Sequence, residues 1–334
     1  MRRGLESGLI LGDSKGVYSG LNGGLQGAYM TNKSNMMDPS SITDPKVKPV
    51  FYINADNVAL VSNAVSIAYN LVETQPNDIF IKVENIFTQL GGTTYRPPLV
   101  LGGLGGKNYM QFGDTGNRIM ECDTASVYSR TSPNANATGF TYIFIIKRVP
   151  GGTRTILDAR DSPSLAGPGD LLLEVNSSGR ITFDYKGGFS GTTTSMIGTA
   201  GVNLLDDWSI LTVKCQLRTD GGRIPNDGEG PSPVSKRFEM PANARVGSGS
   251  ALDVYVNSVE QYKTLTTNTF TVSDYFGDDT YRMLNRPLFL GNRQVTAGTS
   301  GTHIAAAMMI PAYISNALQT KIENYFRYYY NRPF

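Results

Sequence analysis

From residue 50 onward the sequence is cut into short apolar runs, each closed by glycine, proline, asparagine or aspartate, and this punctuation limits the possible folds more than any other feature. The runs FYINA, DIFIKV, NYMQFG, ATGFTYIFIIKR, TILDA, DLLLEVN, ITFDYKG, WSILTVKCQL, LDVYVN, PLFLGN and HIAAAMMI have strand length, with turn signals between them. So many short strands in one chain predict a sandwich or a barrel. The best hairpin signal lies in EVNSSGRITFDY, where Asn176-Ser177-Ser178-Gly179 supplies a turn with positive φ. In LDVYVN the alternation sends Leu252, Val254 and Val256 to one face and Asp253, Tyr255 and Asn257 to the other, so one face is expected in the core and the other in water. Composition agrees, with 37 glycines in 334 residues and only 17% charged residues, against about 25% charged in ordinary soluble chains.

Two segments look helical. The mixed pattern from Ile53 to Leu71 predicts no more than a turn or two. At the C-terminus, Ser315 is placed to cap a helix whose Leu318, Ile322, Tyr325, Phe326 and Tyr329 share one face, with Pro333 beyond its end. This helix is expected to clamp onto the sandwich, its aromatic residues serving as packing rather than as a stacking platform.

Composition shifts near residue 50. Residues 1–49 show neither helical period nor sustained alternation, and Pro39, Pro45 and Pro49 punctuate their exit. They nevertheless keep Leu5, Leu9, Ile10, Leu11, Val17, Tyr18, Leu21, Leu25, Tyr29, Met30, Met36 and Met37, more apolar material than a solvated linker needs. The expectation is an extended N-terminal arm over 1–49 that orders against its own body or a neighbour, and a single domain over 50–334. Arg2, Arg3, Leu9, Tyr18 and Tyr29 are the candidate assembly contacts, and a chain beginning at Val50 is expected to fold.

Several function classes recede. A net charge of +2 recruits no nucleic acid electrostatically. No apolar stretch approaches the ~18 residues of a membrane helix, and MRRGLESGLILGDSKG has no signal-peptide core, so a soluble chain made in a cytoplasm is expected. Two cysteines, Cys122 and Cys215, make no disulfide framework and read as buried thiols in strands. One histidine, His303, rules out multi-histidine zinc sites, and its run THIAAAMMI points to a structural role.

The order of segments is more specific than any one of them. Tyr52-Ile53-Asn54-Ala55-Asp56, then Arg96-Pro97 with Phe112-Gly113-Asp114, Trp208-Ser209-Ile210-Leu211, Val254-Tyr255-Val256-Asn257-Ser258, and finally Ile314-Ser315 with Ile322-Glu323-Asn324-Tyr325-Phe326-Arg327-Tyr328-Tyr329 follow one another over residues 50–334. This succession resembles the concanavalin A-like, laminin-G-like jelly-roll domains, and more narrowly the version found in bacteriophage structural and tail proteins. The resemblance implies an all-β, two-sheet jelly-roll sandwich with an extended N-terminal arm and a C-terminal helix. It also implies a non-enzymatic structural protein of a tailed-phage virion, in the head decoration or the tail, oligomeric within a particle and touching other virion proteins through residues 1–49. Two positions depart from the pattern: Ser258 stands where a turn glycine is usual, and Tyr52 where a tryptophan is.

Jelly rolls of this kind serve as glycan binders, glucanases and spacers alike, so the chemistry must be read from residues. The glucanases carry carboxylates at alternate positions of one strand, with the reacting pair about 5–5.5 Å apart for retaining hydrolysis. Here Glu174, Asp184 and Asp253 each lack an acidic partner two residues away. No cofactor is expected. Calcium is the one ion the pattern admits, through Asp253 and Asn257 at the positions of a lectin-like D-x-aromatic-x-N run, or through Asp158 and Asp161 at a loop rim. Gly102-Gly103-Leu104-Gly105-Gly106-Lys107 precedes a strand rather than a helix and reads as a turn, not a phosphate loop. The sequons at Asn32, Asn136 and Asn176 mean little without a secretory signal. For a host surface glycan, the candidate contacts are Asp274, Tyr275, Phe276 and Tyr281, with Asp278 and Asp279 beside them, since sugars take an aromatic face next to carboxylates.

Overall fold

Phe144 lies between two isoleucines, and the three side chains show the plan of the molecule. Tyr142, Phe144 and Ile146 point into one hydrophobic cluster, while Ile143 and Ile145 point into a second on the opposite side of the same strand. A strand buried on both faces needs an unbroken apolar run, and YIFII supplies it. The computed structural model describes residues 33–44, 47–72, 87–89, 96–112, 118–122, 139–158, 171–177, 179–186, 193–198, 205–216, 252–261, 263–265, 288–291, 301–310 and 312–334.

In chain order the strands are β1 (Phe51–Asn54), β2 (Val58–Val61), β3 (Ala64–Ala68), β4 (Phe87–Gln89), β5 (Leu99–Leu104), β6 (Lys107–Phe112), β7 (Met120–Cys122), β8 (Gly139–Arg148), β9 (Arg154–Asp158), β10 (Leu171–Val175), β11 (Ile181–Lys186), β12 (Thr193–Gly198), β13 (Ser209–Gln216), β14 (Leu252–Val256), β15 (Val259–Glu260), β16 (Lys263–Leu265), β17 (Leu288–Leu290) and β18 (Thr302–Ile310). One helix, α1 (Asn316–Tyr329), follows them. Among the described residues the strands form two antiparallel sheets. The first runs β15-β14-β13-β8-β18-β6-β5, with β1 also paired to β18, and the second runs β16-β12-β11-β10-β9-β17-β7-β4-β3-β2. Their facing side chains, among them Phe51, Phe112, Phe144, Leu211 and Met309 from the first and Val65, Leu157, Leu173 and Leu290 from the second, form the main core of a sandwich. The described residues are thus mostly β, with one α-helix among them, at the C-terminus, as the punctuation of the sequence implies.

The second cluster lies between the outer face of the first sheet and α1. Ser315 caps the helix, its hydroxyl accepting the Leu318 N–H at 3.2 Å. Ile322, Phe326 and Tyr330 press onto Tyr52, Ile143, Ile145, Ile210, Met308 and Ile310. A register shift in β18 between Ile304 and Ala306 turns both Ala305 and Ala306 toward this cluster. Their small side chains let the helix end approach the strand, and the Tyr330 hydroxyl donates to the Ala305 carbonyl at 3.1 Å.

Two local expectations are corrected. Residues 53–71 contain no helix: β1 leads into a hairpin of β2 and β3, whose turn residues Ser62 and Asn63 have φ of 53° and 62°. Both central residues in the left-handed region match the twist of a two-residue hairpin. In β14, Val254 and Val256 face the core as alternation requires, but Asp253 and Tyr255 on the other face are buried rather than wet. α1 and the loop before it cover that face. The hairpin at Asn176 forms as expected, joining β10 to β11, with Gly179 at φ 77° and the Asn176 side chain accepting the Arg180 N–H.

Residues between 33 and 44 also pack against α1. The Met37 N–H donates to the Lys321 carbonyl at 3.1 Å, Asn324 donates through its side chain to the Asn35 carbonyl, and Ile42 belongs to the second cluster.

Candidate functional site

The rows of side chains beneath α1 divide into two halves. On β18 and β1, at Ile143 and Ile145 of β8 and at Ile210 of β13 they are apolar; from Thr141 of β8 across Thr212 and Lys214 of β13 to Asp253 and Tyr255 of β14 they carry polar groups, and a buried polar seam results. Strand register sets it. Lys214 sits opposite Asp253 on β14 and Thr141 on β8, and two residues along Thr212 sits opposite Tyr255. Val213 and Val254 point into the main core, so their neighbours Lys214, Thr212, Asp253 and Tyr255 point toward the helix.

Glu323 lies at the centre of one end of the seam and is fully buried. It accepts the Thr212 hydroxyl at 3.0 Å, the Gln319 amide at 2.8 Å and the Ser258 hydroxyl, and it pairs with Arg327 at 3.5 Å. Arg327 also donates to the Ser258 hydroxyl at 2.8 Å. This accounts for the serine where the jelly-roll pattern has a turn glycine. Asn257 and Ser258 have φ of 54° and 68° in the β14–β15 turn. Backbone strain there is offset by two hydrogen bonds to charged groups, each stronger than a neutral one.

At the other end Lys214 is fully buried. Its ammonium lies over the rings of Tyr255 at 4.6 Å and Tyr313 at 4.7 Å, and donates to Asn316 Oδ1 at 2.6 Å. The Tyr313 hydroxyl donates to the Asp253 carboxylate. Thr141 fixes the approach to the helix, donating to the Ala312 carbonyl at 2.7 Å and accepting the Ile314 N–H, which sets Tyr313 above Lys214. Burial first, then the charges of Asp253 and Glu260, pushes the Tyr255 phenol up to about 12. Tyr313 is raised further by burial and by its bond to Asp253.

A second set of carboxylates lies on the outer face of the other sheet. Asp158 is opposite Leu172 and Phe289, and Phe289 is opposite Glu121, so one row crosses β10, β9, β17 and β7. Glu174, two residues from Leu172, shares this face and accepts the Thr155 hydroxyl at 3.0 Å. Glu174, solitary in sequence, thus shares a face with Asp158 on the neighbouring strand. Among the described residues no group of three or more His, Cys, Asp and Glu side chains is placed to hold a metal ion.

The other sequence candidates are distributed as follows. Asn257 accepts the Ile210 N–H at 2.8 Å through its side chain, and Asp253 accepts Tyr313, so the oxygens considered for calcium hold the frame together. Of the run from Gly102 to Lys107, read from sequence as a turn, only Gly105 and Gly106 turn; Gly102, Gly103 and Leu104 belong to β5 and Lys107 to β6. His303 lies beside Tyr109 and Trp208, with ring centroids 5.3 and 6.4 Å away. Cys122 and Cys215 lie in β7 and β13, in different sheets. Asp161, Asp274, Tyr275, Phe276, Asp278, Asp279 and Tyr281, and the arm residues Arg2, Arg3, Leu9, Tyr18 and Tyr29, lie outside the described residues. Sequence reasoning missed Lys214, Asn316, Gln319, Glu323 and Arg327. The available signal was Thr212 and Lys214 at alternate positions of an apolar strand, with Gln319, Glu323 and Arg327 at helical spacing.

No protein-family model matches the sequence, nor does any curated protein. Among solved structures, the botulinum neurotoxin serotype D binding domain has 10% identity and a TM-score of 0.45, over 87% of this chain and 52% of that one. The serotype G binding domain gives 7%, 0.43, 84% and 51% in the same order. The binding domain of Paraclostridial Mosquitocidal Protein 1 gives 9%, 0.44, 82% and 51%. The chain spans about half the length of these solved proteins, and likeness at this level carries neither their fold nor their function to it.

Proposed function

We propose that the chain is a non-catalytic structural module of a tailed-bacteriophage virion, a jelly roll held on the particle by its N-terminal arm. The observation that supports this most is how the buried and half-buried carboxylates are used. Glu323 fastens α1 to the first sheet, and Asp56 accepts both the Tyr329 hydroxyl and the Asn108 N–H. Asp206 pairs with the buried Arg148. Acids engaged this way serve rigidity, whereas a catalytic pair needs free lone pairs facing a substrate.

In this reading residues 1–32, with Arg2, Arg3, Leu9, Tyr18 and Tyr29, are the arm that meets neighbouring virion proteins. The test is particle assembly with a chain lacking residues 1–32. A folded chain recovered outside the particles supports the reading; incorporation at the full level rejects it. Immunogold on intact particles separates head from tail, and particles without label remove the virion assignment.

A second reading is adsorption to a host surface glycan, favoured by Tyr275, Phe276 and Tyr281 beside Asp274, Asp278 and Asp279. Binding to a glycan panel that is lost in Tyr281→Ala supports it, and a blank panel counts against it.

A further inference from the structure

We propose that Lys214 and Asn316 join covalently, Lys214 Nζ to Asn316 Cγ, in an intramolecular isopeptide bond for which Asp253 carries the proton. The inference stands apart from the virion reading. It rests on three groups brought together from distant parts of the sequence. Lys214 Nζ is 2.6 Å from Asn316 Oδ1. A carbonyl bond adds only about 1.2 Å, so the carboxamide carbon lies within about 3.8 Å of the amine, close to the ~3–3.5 Å of a near-attack arrangement. Asp253 is the residue directly across from Lys214 on the neighbouring strand, on the same face, where cross-strand side chains meet. The Tyr255 and Tyr313 rings wall the amine, and Lys214 is fully buried.

The surroundings favour the reaction. The amine attacks only once its extra proton has left, and the Asp253 carboxylate, across from Lys214 on the same face, is the group placed to take that proton. The Lys214 nitrogen lone pair then forms a bond to Asn316 Cγ. Asp253 hands its proton to the carboxamide nitrogen, and that C–N bond breaks. The remaining extra proton on the new amide nitrogen returns through Asp253 and departs with the leaving nitrogen as ammonium. Asp253 ends as a carboxylate, one C–N bond has replaced another, and nothing is oxidised or reduced. Asn316 is the first residue of α1 and is exposed, which gives ammonia a way out. The product ties β13 to the head of the helix, closing the second cluster covalently.

The experiment is the intact mass and tryptic map of the full chain. The expected mass is that of the sequence less one ammonia. Lys214 should then resist cleavage, and Gly187–Arg218 should appear joined to Gln294–Lys321. Asp253→Asn and Asn316→Ala should each show the mass of its own sequence, with Lys214 cleaved and Gly187–Lys214, Cys215–Arg218 and the peptide from Gln294 to Lys321 all separate. Asn316→Asp should join them with loss of water instead. A wild-type chain that stays at the sequence mass overturns the bond, as does loss of ammonia without the joined peptides, the signature of an asparagine closing on its own backbone. Joining in Asp253→Asn at the wild-type rate overturns the role of Asp253.

Discussion

Glu323 satisfies more buried donors than its neighbours under the helix, and that makes it the most sensitive single residue there. Replacing it with alanine leaves the Thr212 hydroxyl, the Gln319 amide and the Arg327 guanidinium facing a cavity. Breaking a buried pair by removing one partner costs about 3–5 kcal/mol. Glu323→Ala is therefore expected to lower unfolding stability by about that amount in denaturant titration, and Glu323→Gln by less, since its carbonyl still accepts. Gly291 is constrained differently. Its φ is 84°, and a Cβ there would lie 1.9 Å from a Phe112 ring carbon. Left-handed backbone and overpacking each cost about 1–3 kcal/mol, so Gly291→Ala should show a clear fall in melting temperature. Neither residue announces itself in the sequence. A glutamate on a terminal helix reads as solvated until the strand bearing Thr212 is known to pass beneath it, and Phe112 reaches Gly291 only through the fold.

Elements were more legible than residues. Runs such as YIFII and AAAMMI are apolar enough to be strands whatever surrounds them, and Ser315 with the spacing of Ile322 and Phe326 marks α1. The β2–β3 hairpin was not legible, because VALVSNAVSIA satisfies both a helical and an alternating pattern and its turn has no glycine. The buried face of α1 was legible only in its apolar half. The aromatic residues of this face make the element's stability depend on pH. Burial, then the charge of Asp38, raises Tyr325 to about 12, and Tyr255 stands at the same level, while burial raises Tyr52 and Tyr330 well above 10. A group that holds its proton more tightly when folded contributes its full stability below the unfolded pKa of about 10 and loses it as pH rises through the folded value. The tyrosine contribution to stability should thus be fully present below pH ~10 and fall between about 10 and 12. In a spectrophotometric titration the phenolate signal of these tyrosines should appear together with unfolding rather than before it. A smooth titration of all the tyrosines near 10 in a folded chain would contradict the packing of α1.

At the scale of the whole molecule, the question is where the folded body begins. The prolines and the change in composition place the seam near residue 50, but composition does not register contacts, and Met37, Ile42 and Val47 lie against the second cluster. Ile42 is 6% exposed and Pro39 is buried. A chain starting at Val50 loses these side chains together with the hydrogen bonds from Met37 and to Asn35 that fasten α1. Fully burying one isoleucine is worth about 1.5–3 kcal/mol. The cost should fall on α1 first, because that is the element these residues hold. A chain starting at Lys33 loses none of these contacts. Paired denaturant titrations are therefore expected to show the chain from Val50 less stable than the chain from Lys33 by several kcal/mol, with earlier hydrogen exchange in α1. Coincident midpoints for the two truncations would mean that residues 33–49 rest on the body without supporting it. The seam would then lie at residue 50, and the whole of 1–49 would count as arm.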